Sequence, residues 1–237
     1  MNFQPNTDIF KANWYLKQMR GWSFKTYMLL MLGIGVIIGT TISTPVNLIS
    51  LITMVAAIMG FTCTLAITNA KPINGVLGLL SSIIYIIVSI YAQNYANVVL
   101  QASYIFLLDL PVLLLPAWSK NAEKHIRGLK FKQWCFTLIF FLFVTAMLYL
   151  MDTRIFISPR PWIDAIAGAI GITGSVLCTF RFREQYYFWM IQGIMSIILW
   201  GVTAFQGDAN LTLFFTYILY LSNDVLAFTD KHTHWFH

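Results

Sequence analysis

The chain has 237 residues, of which 58% are hydrophobic and 10% charged, with a net charge of +6 and three cysteines; its mean hydropathy is +0.71. A soluble domain carries about 25% charged residues, and a soluble core of this size does not hide so many apolar side chains. A soluble globular protein is therefore excluded, and apolar runs without polar alternation exclude a β-barrel, which leaves an all-α polytopic membrane protein.

Residues 1–25 mix Phe10, Trp14, Tyr15, Met19 and Trp22 with Lys11, Lys17, Arg20 and Lys25. Aromatics among cations suit the headgroup layer, so a short interfacial helix is expected there, with a polar tail as the competing reading. No small-residue cleavage site follows the first apolar run, so no cleavable signal is expected.

Eight spans follow from the apolar runs. They lie at about 26–43, 47–68, 73–91, 97–117, 133–151, 162–180, 187–205 and 210–228. Gly35 and Gly39 in the first span have the GxxxG spacing that permits close helix packing. Lys71-Pro72 opens the third, where a proline's missing N–H does no harm. Pro111 and Pro116 interrupt the fourth. Gly168, Gly171 and Gly174 give the sixth a face of small residues. Cys63, Cys135 and Cys178 all fall inside spans and read as small hydrophobes, with no metal spacing or disulfide framework.

Placing the N-terminus in the cytoplasm puts thirteen basic residues there: Lys11, Lys17, Arg20, Lys25, Lys71, Lys120, Lys124, Arg127, Lys130, Lys132, Arg181, Arg183 and Lys231. Only Arg154 and Arg160 then lie outside. This asymmetry predicts both termini in the cytoplasm and supports the span count, because one span more or fewer would scramble it. The basic residues thus read as orientation and lipid contact, not as a nucleic-acid surface.

The chain also repeats itself. Residues 96–113 and 209–226 match at a constant offset of 113, with eight of 18 positions identical: Ala96/Ala209, Asn97/Asn210, Leu100/Leu213, Tyr104/Tyr217, Ile105/Ile218, Leu108/Leu221, Val112/Val225 and Leu113/Leu226. Both copies run inward from outside. Carried backwards, the offset pairs spans two to four with spans six to eight. Two parallel three-helix units need an odd number of linking helices, and span five supplies one. The expected architecture is one extra helix followed by a 3+1+3 repeat. Its segments are 1–45 (interfacial segment and first span), 46–118 (first unit), 119–155 (basic loop and linker helix), 156–230 (second unit) and a cytoplasmic tail, 231–237.

Polar side chains inside lipid need a reason. The candidates are Gln93, Asn97, Gln101, Tyr104 and Asp109; Trp189, Gln192 and Trp200; and Asn210, Tyr217, Tyr220, Asn223 and Asp224. Asn97 and Asn210 stand at helix starts, where N-capping is the simplest role. Tyr104 and Tyr217 occupy matching positions, with interhelical packing as the plain alternative to ligand contact. Gln101 and Tyr104 share one helix face, as do Trp189 and Gln192. An amide and an aromatic on each of two facing helices would cradle a flat heterocycle bearing hydroxyls; interhelical glue is the competing role. Asp109 and Asp224 read as a gate or an attraction for a cationic substrate, or else as partners of cytoplasmic cations. No P-loop, HExxH, Ser/His/Asp set or paired membrane carboxylates are present, and the histidines lie outside the spans, so an intramembrane enzyme has little support and no metal site or cofactor is expected.

Further residues resemble the PnuC family of nicotinamide riboside transporters. Arg183-Glu184-Gln185-Tyr186-Tyr187-Phe188-Trp189 is similar to the family stretch in which a basic residue and Glu precede a W-x-x-W pair, with Tyr186 at the first tryptophan position and Trp189 at the second. Tyr95-Ala96, Leu100-Gln101, Asp164, Gln206-Gly207 and Asn223 agree in order and spacing over roughly residues 47–230. The resemblance implies a SWEET-like bundle in a bacterial inner membrane. It implies facilitated uptake of a nucleoside-like vitamin without direct energy coupling, trapping by a cytoplasmic kinase, and a substrate site lined by Gln101, Trp189 and Asn223. Tyr186 and Tyr104 add cation–π surface for the cationic ring. The sequence departs from the family where its asparagines fall on Gly193, Ser81 and Leu108, which keeps thiamine and deoxyribonucleosides as alternative cargoes. A membrane receptor and an intramembrane enzyme are the readings from other classes. Association with further copies of the chain stays open.

Overall fold

In a computed structural model of the chain, the described residues are 6–43, 45–91, 95–115, 118, 125–157, 161–205 and 211–236, with side chains at 95, 96, 199–205 and 211–213 left aside. Gln93, Pro116, Lys120, Lys124, Arg160, Gln206, Gly207 and Asn210, and the side chain of Trp200, lie outside the described residues. Among those described, the regular elements are helices: α1 (Ala12–Gln18), α2 (Phe24–Ile42), α3 (Leu48–Thr68), α4 (Ile73–Tyr91), α5 (Tyr95–Tyr104), a π-helical turn (Ile105–Asp109), α6 (Leu110–Leu114), α7 (Phe131–Arg154), α8 (Pro161–Thr179), α9 (Gln185–Phe205) and α10 (Leu211–Thr229). Six of these stretches are long and apolar enough to cross a membrane: α2, α3, α4, Asn97–Leu114, α7 and α8.

Local chemistry sets the boundaries. Ser23 caps α2 by accepting from Thr26 N at 3.1 Å. Asn47 and Ser50 form a reciprocal capping box at the start of α3, with both bonds at 2.8 Å. Each satisfies backbone N–H groups that a helix start leaves without partners. The buried share of the apolar window is 67% in α8 and 17% in α7, so α8 is the central helix and α7 faces mostly outward. α8 packs against α5, α7 and α9, while α10 packs against α2, α3 and α9.

The small-residue face of α8 is used along its length. A Cβ added at Gly168 would meet Leu148 of α7 at 2.8 Å, and Cβ atoms at Gly171 and Gly174 would meet Tyr104 and Trp189. In α2 the expected close-packing pair faces nothing: a Cβ at Gly35 or Gly39 meets no atom within 4 Å, whereas Gly33 lies directly under the Phe61 ring. Helix α2 therefore turns its GxxxG edge away from the chain and seats on α3 through the neighbouring glycine.

Helices α3 and α8 end alike. Lys71 N donates to Ala66 O and Ala70 N to Ile67 O, both at 2.8 Å; Phe182 N donates to Leu177 O at 2.9 Å and Arg181 N to Cys178 O at 2.8 Å. This is the Schellman arrangement, made with left-handed residues that are not glycine: Ala70 at φ 51° and Arg181 at φ 57°. The arrangement leaves the carbonyl of the last helical residue without a backbone donor. Trp235 Nε1 supplies one to Thr68 O at 2.9 Å, and Trp118 Nε1 supplies one to Thr179 O at 3.0 Å. Both tryptophans are buried.

The segment after α10 is anchored by Asp230, whose Oδ1 accepts from His232 N at 3.2 Å, and by Thr233 Oγ1 donating to Asp230 O at 2.8 Å. Burial alone would raise the Asp230 carboxyl. The Ser23 hydroxyl, the His232 amide and the charges of Lys25 and His232 outweigh it and hold the carboxyl below its usual range. A depressed folded-state pKa contributes stability above the unfolded value of about 4, which is lost as the pH falls through the folded one. Asp230→Asn is thus expected to lower the thermal unfolding midpoint at pH 7 by about 2–4 °C. The gap to the native protein should close on titration to pH 3; a gap independent of pH would contradict the assigned charge interactions.

Candidate functional site

One band of polar residues lies between α4, α5, α8, α9 and α10. Tyr104 on α5 and Gln192 on α9 converge on α8. Both reach the bare surface of Gly171, where an added Cβ would lie 2.5 Å from Tyr104 Oη and 3.2 Å from Gln192 Nε2. One turn further along α8, the Trp189 indole lies on Gly174. The absence of side chains at these glycines lets a phenol, an amide and an indole from two helices converge on a third.

On the α10 side, Tyr217 has Ser196 as a polar neighbour and meets Tyr220 edge-on at 5.8 Å. Tyr220 in turn neighbours Tyr85 on α4. Asn223 is buried, and its Oδ1 has no hydrogen-bond partner among the described residues; the same holds for Thr173 Oγ1 on α8. A buried acceptor without a donor costs about 1–3 kcal/mol, so such atoms are suited to ligand or water contact.

Gln101 does not join Tyr104. Its Nε2 donates to Asn97 Oδ1 at 3.4 Å, and Asn97 Nδ2 donates to Ser89 Oγ on α4 at 2.6 Å. Asn97 thus lies inside the first turn of α5 and ties two helices together, in place of the expected N-cap. Gln101 lines the outer part of the band.

Tyr186 is fully buried at the other end. Its hydroxyl shares a 3.1 Å hydrogen bond with Thr68 Oγ1, and its ring meets Trp235 at 5.4 Å and Trp189 at 5.7 Å, both edge-on. Trp189 is therefore shared: one side on Gly174, the other against this aromatic cluster. Asp224 is buried nearby, within electrostatic reach of Tyr186.

Asp109 closes the band from α5. It sits in the π-helical turn with its carboxylate on Gly78 of α4 and Ser82 as a polar neighbour, while Oδ2 has no hydrogen-bond partner among the described residues. No cation among the described residues pairs with it, which is the alternative the sequence offered for this acid. The turn has a local cause. Leu110 N reaches back to Ile105 O, and Pro111 has no N–H to offer Leu107 O. Thr179 Oγ1 of α8 donates to that carbonyl instead. A lost intrahelical bond is thereby replaced by one between helices.

Tyr85, Ser82 and Ser196 join the site although sequence reasoning passed over them. Their signal was available: Gly78, Ser82, Tyr85 and Ser89 recur at helical spacing along one side of α4. No group of His, Cys, Asp and Glu able to hold a metal occurs among the described residues.

Comparison with known proteins gives four findings. A family model described as "Nicotinamide mononucleotide transporter" matches residues 50–235. "Nicotinamide riboside transporter PnuC" of Neisseria mucosa is 26% identical over 94% of this chain and 86% of its own length. Its namesake from Haemophilus influenzae is 24% identical over 76% of this chain and 78% of its own length. A solved structure described as "Crystal structure of the Vitamin B3 transporter PnuC" superposes with a TM-score of 0.77 at 24% identity, covering 95% of this chain and 96% of that one. At that identity the superposition bears on the fold alone.

The Gly171 contact is testable without a ligand. Gly171→Ala forces the Tyr104 hydroxyl aside and should cost about 1–3 kcal/mol. Tyr104→Phe removes a buried hydroxyl from beside the Gln192 amide, at about 1 kcal/mol. Because the phenylalanine also removes the atom nearest the new methyl, the double variant should unfold at a higher temperature than the sum of the two losses allows. Strict additivity would mean that the two positions do not meet.

Proposed function

The chain belongs to the nicotinamide mononucleotide transporter family, a family of transporters and not of enzymes, and from that premise we propose that it carries nicotinamide riboside, or a closely related nucleoside-like vitamin, by facilitated diffusion. The observation that carries the reading is the convergence of Tyr104, Gln192 and Trp189 on Gly171 and Gly174. A cationic ring stacks on an indole and is held by its π face. The Gln192 amide and the hydroxyls of Tyr217 and Ser196 suit a ribose. Asn223 Oδ1 and Thr173 Oγ1, buried without a hydrogen-bond partner among the described residues, add unspent polar atoms on α10 and α8. Gln101 and Tyr186 bound the band at its two ends, and Asp109 and Asp224 act as gate contacts.

The architecture we propose is one extra helix followed by a 3+1+3 repeat, in the SWEET-like manner. In it α3, α4 and the α5–α6 stretch form one unit, α8, α9 and α10 form the other, and α7 is the linker. The twin endings of α3 and α8 support it. The domain boundaries are those read from the sequence, with residues 1–45 contributing the interfacial segment and first span. The basic loops and the positive-inside rule support both termini in the cytoplasm of a bacterial inner membrane. Net uptake then requires trapping, which a cytoplasmic kinase acting on the cargo supplies.

A second cargo, thiamine or a deoxyribonucleoside, is favoured by one observation. Where the family carries an asparagine, Ser81 stands here and donates to Ala56 O at 2.9 Å. It reads no ligand, so the amide set is thinner than in the family.

Calorimetric titration of the purified protein with nicotinamide riboside, thiamine and deoxynucleosides separates these readings. Nicotinamide riboside is expected to bind tightest. Trp189→Ala should weaken that affinity at least tenfold, about 1.4 kcal/mol, with a smaller loss for Gln101→Ala. Unchanged affinity in both folded variants would remove the site assignment; a preference for thiamine or a deoxynucleoside would replace the cargo.

A further inference from the structure

We infer that Trp118 and Trp235 form a reciprocal latch that holds the two three-helix units together at the basic end of the bundle, and that both indoles must leave their carbonyls when the transporter opens there. The inference rests on the proposed two-unit transporter. Its evidence is the crossing of the contacts. Trp118 follows the last helix of the first unit and donates to Thr179 O, the end of the first helix of the second. Trp235 follows the last helix of the second unit and donates to Thr68 O, the end of the first helix of the first. A contact within one unit would survive a rocking motion of the two halves. These two would not.

The chemistry suits a contact that breaks and re-forms. Each carbonyl is the one its Schellman ending leaves without a donor, so a lone indole N–H completes it. At this end of the bundle water can replace that donor once the halves part, so opening exposes no permanently unpaired group. Both tryptophans belong to one buried cluster with Cys63, Leu108, Val112, Cys178 and Tyr186, and Trp189 of the candidate site packs against it. The cluster thus stands between the site and the basic end. Thr179 joins the latch to the π-helical turn, since its hydroxyl donates to Leu107 O while its carbonyl receives Trp118.

The buried thiols serve as reporters. With Cys135, which is exposed, replaced by alanine, the rate at which a water-soluble maleimide modifies Cys63 and Cys178 in detergent measures opening of the cluster and needs no cargo. Trp118→Phe and Trp235→Phe keep a ring and lose the N–H. Each is expected to raise the modification rate about fivefold, the equivalent of one neutral hydrogen bond, and the double variant about 25-fold. Unchanged rates in the folded double variant overturn the latch. Should one phenylalanine variant not fold, the other still reports through its thiol rate, and a converse measurement holds the latch shut. In a Cys63→Ala/Cys135→Ala/Cys178→Ala background, Thr68→Cys and Trp235→Cys are bridged with a short bifunctional thiosulfonate in proteoliposomes. Nicotinamide riboside uptake should stop and return on reduction; undiminished uptake through the bridged protein overturns the latch. Lack of uptake by the unbridged protein counts against the cargo, and the thiol reaction rates still decide the latch.

Discussion

A backbone in lipid must satisfy its own polar groups, and much of this structure is a set of answers to that constraint. Helix interiors meet it by themselves. The difficult places are the helix ends and Pro111, and there the chain borrows donors from elsewhere. Leu107 O, freed by the proline, takes the hydroxyl of Thr179. Thr68 O and Thr179 O take indoles from distant segments. Each borrowed donor joins two elements, so the places where the backbone is weakest are also where the helices are tied to one another.

The same economy shapes the polar band. Glycines on α8 and α4 let side chains from neighbouring helices lie against bare backbone: Tyr104 on Gly171, Trp189 on Gly174, Asp109 on Gly78. Some side chains then find partners across helices, as Asn97 does on Ser89 and Tyr186 on Thr68. The two repeated segments differ in their backbone. The first contains a π-helical turn and a proline, while its counterpart α10 runs as unbroken helix over Leu211–Thr229.

Much of this was legible in the sequence, for physical reasons. Apolar runs of bilayer length place helices, and polar residues among them stand out because lipid makes them costly. Tyr104, Trp189 and Gln192 were legible on that ground, as was the glycine face of α8. Helical rotation was not legible. GxxxG spacing says which residues share a face but not whether the face meets a partner, so Gly35 and Gly39 were read as packed and Gly33 was missed. Asn97 looked like a cap because caps and helix-bridging amides have the same composition. The paired tryptophans escaped because Trp118 and Trp235 do not share the offset that aligns Tyr104 with Tyr217. Loops of unequal length carry equivalent side chains to equivalent ends, and only the fold brings them into correspondence.

The outward-facing helix α7 has a consequence of its own. Its 24 residues span about 36 Å at 1.5 Å per residue, against a hydrocarbon layer of about 30 Å. Its apolar part, 134–151, spans about 27 Å and fits that layer, with Lys132 and Arg154 at the polar ends. Leu148 seats on Gly168, and Tyr149 stacks on Trp162 at 4.1 Å, so α7 is geared to α8. A bilayer that departs from this thickness tilts α7. Membrane thickness thereby becomes a mechanical input to the helix on which the polar band is built.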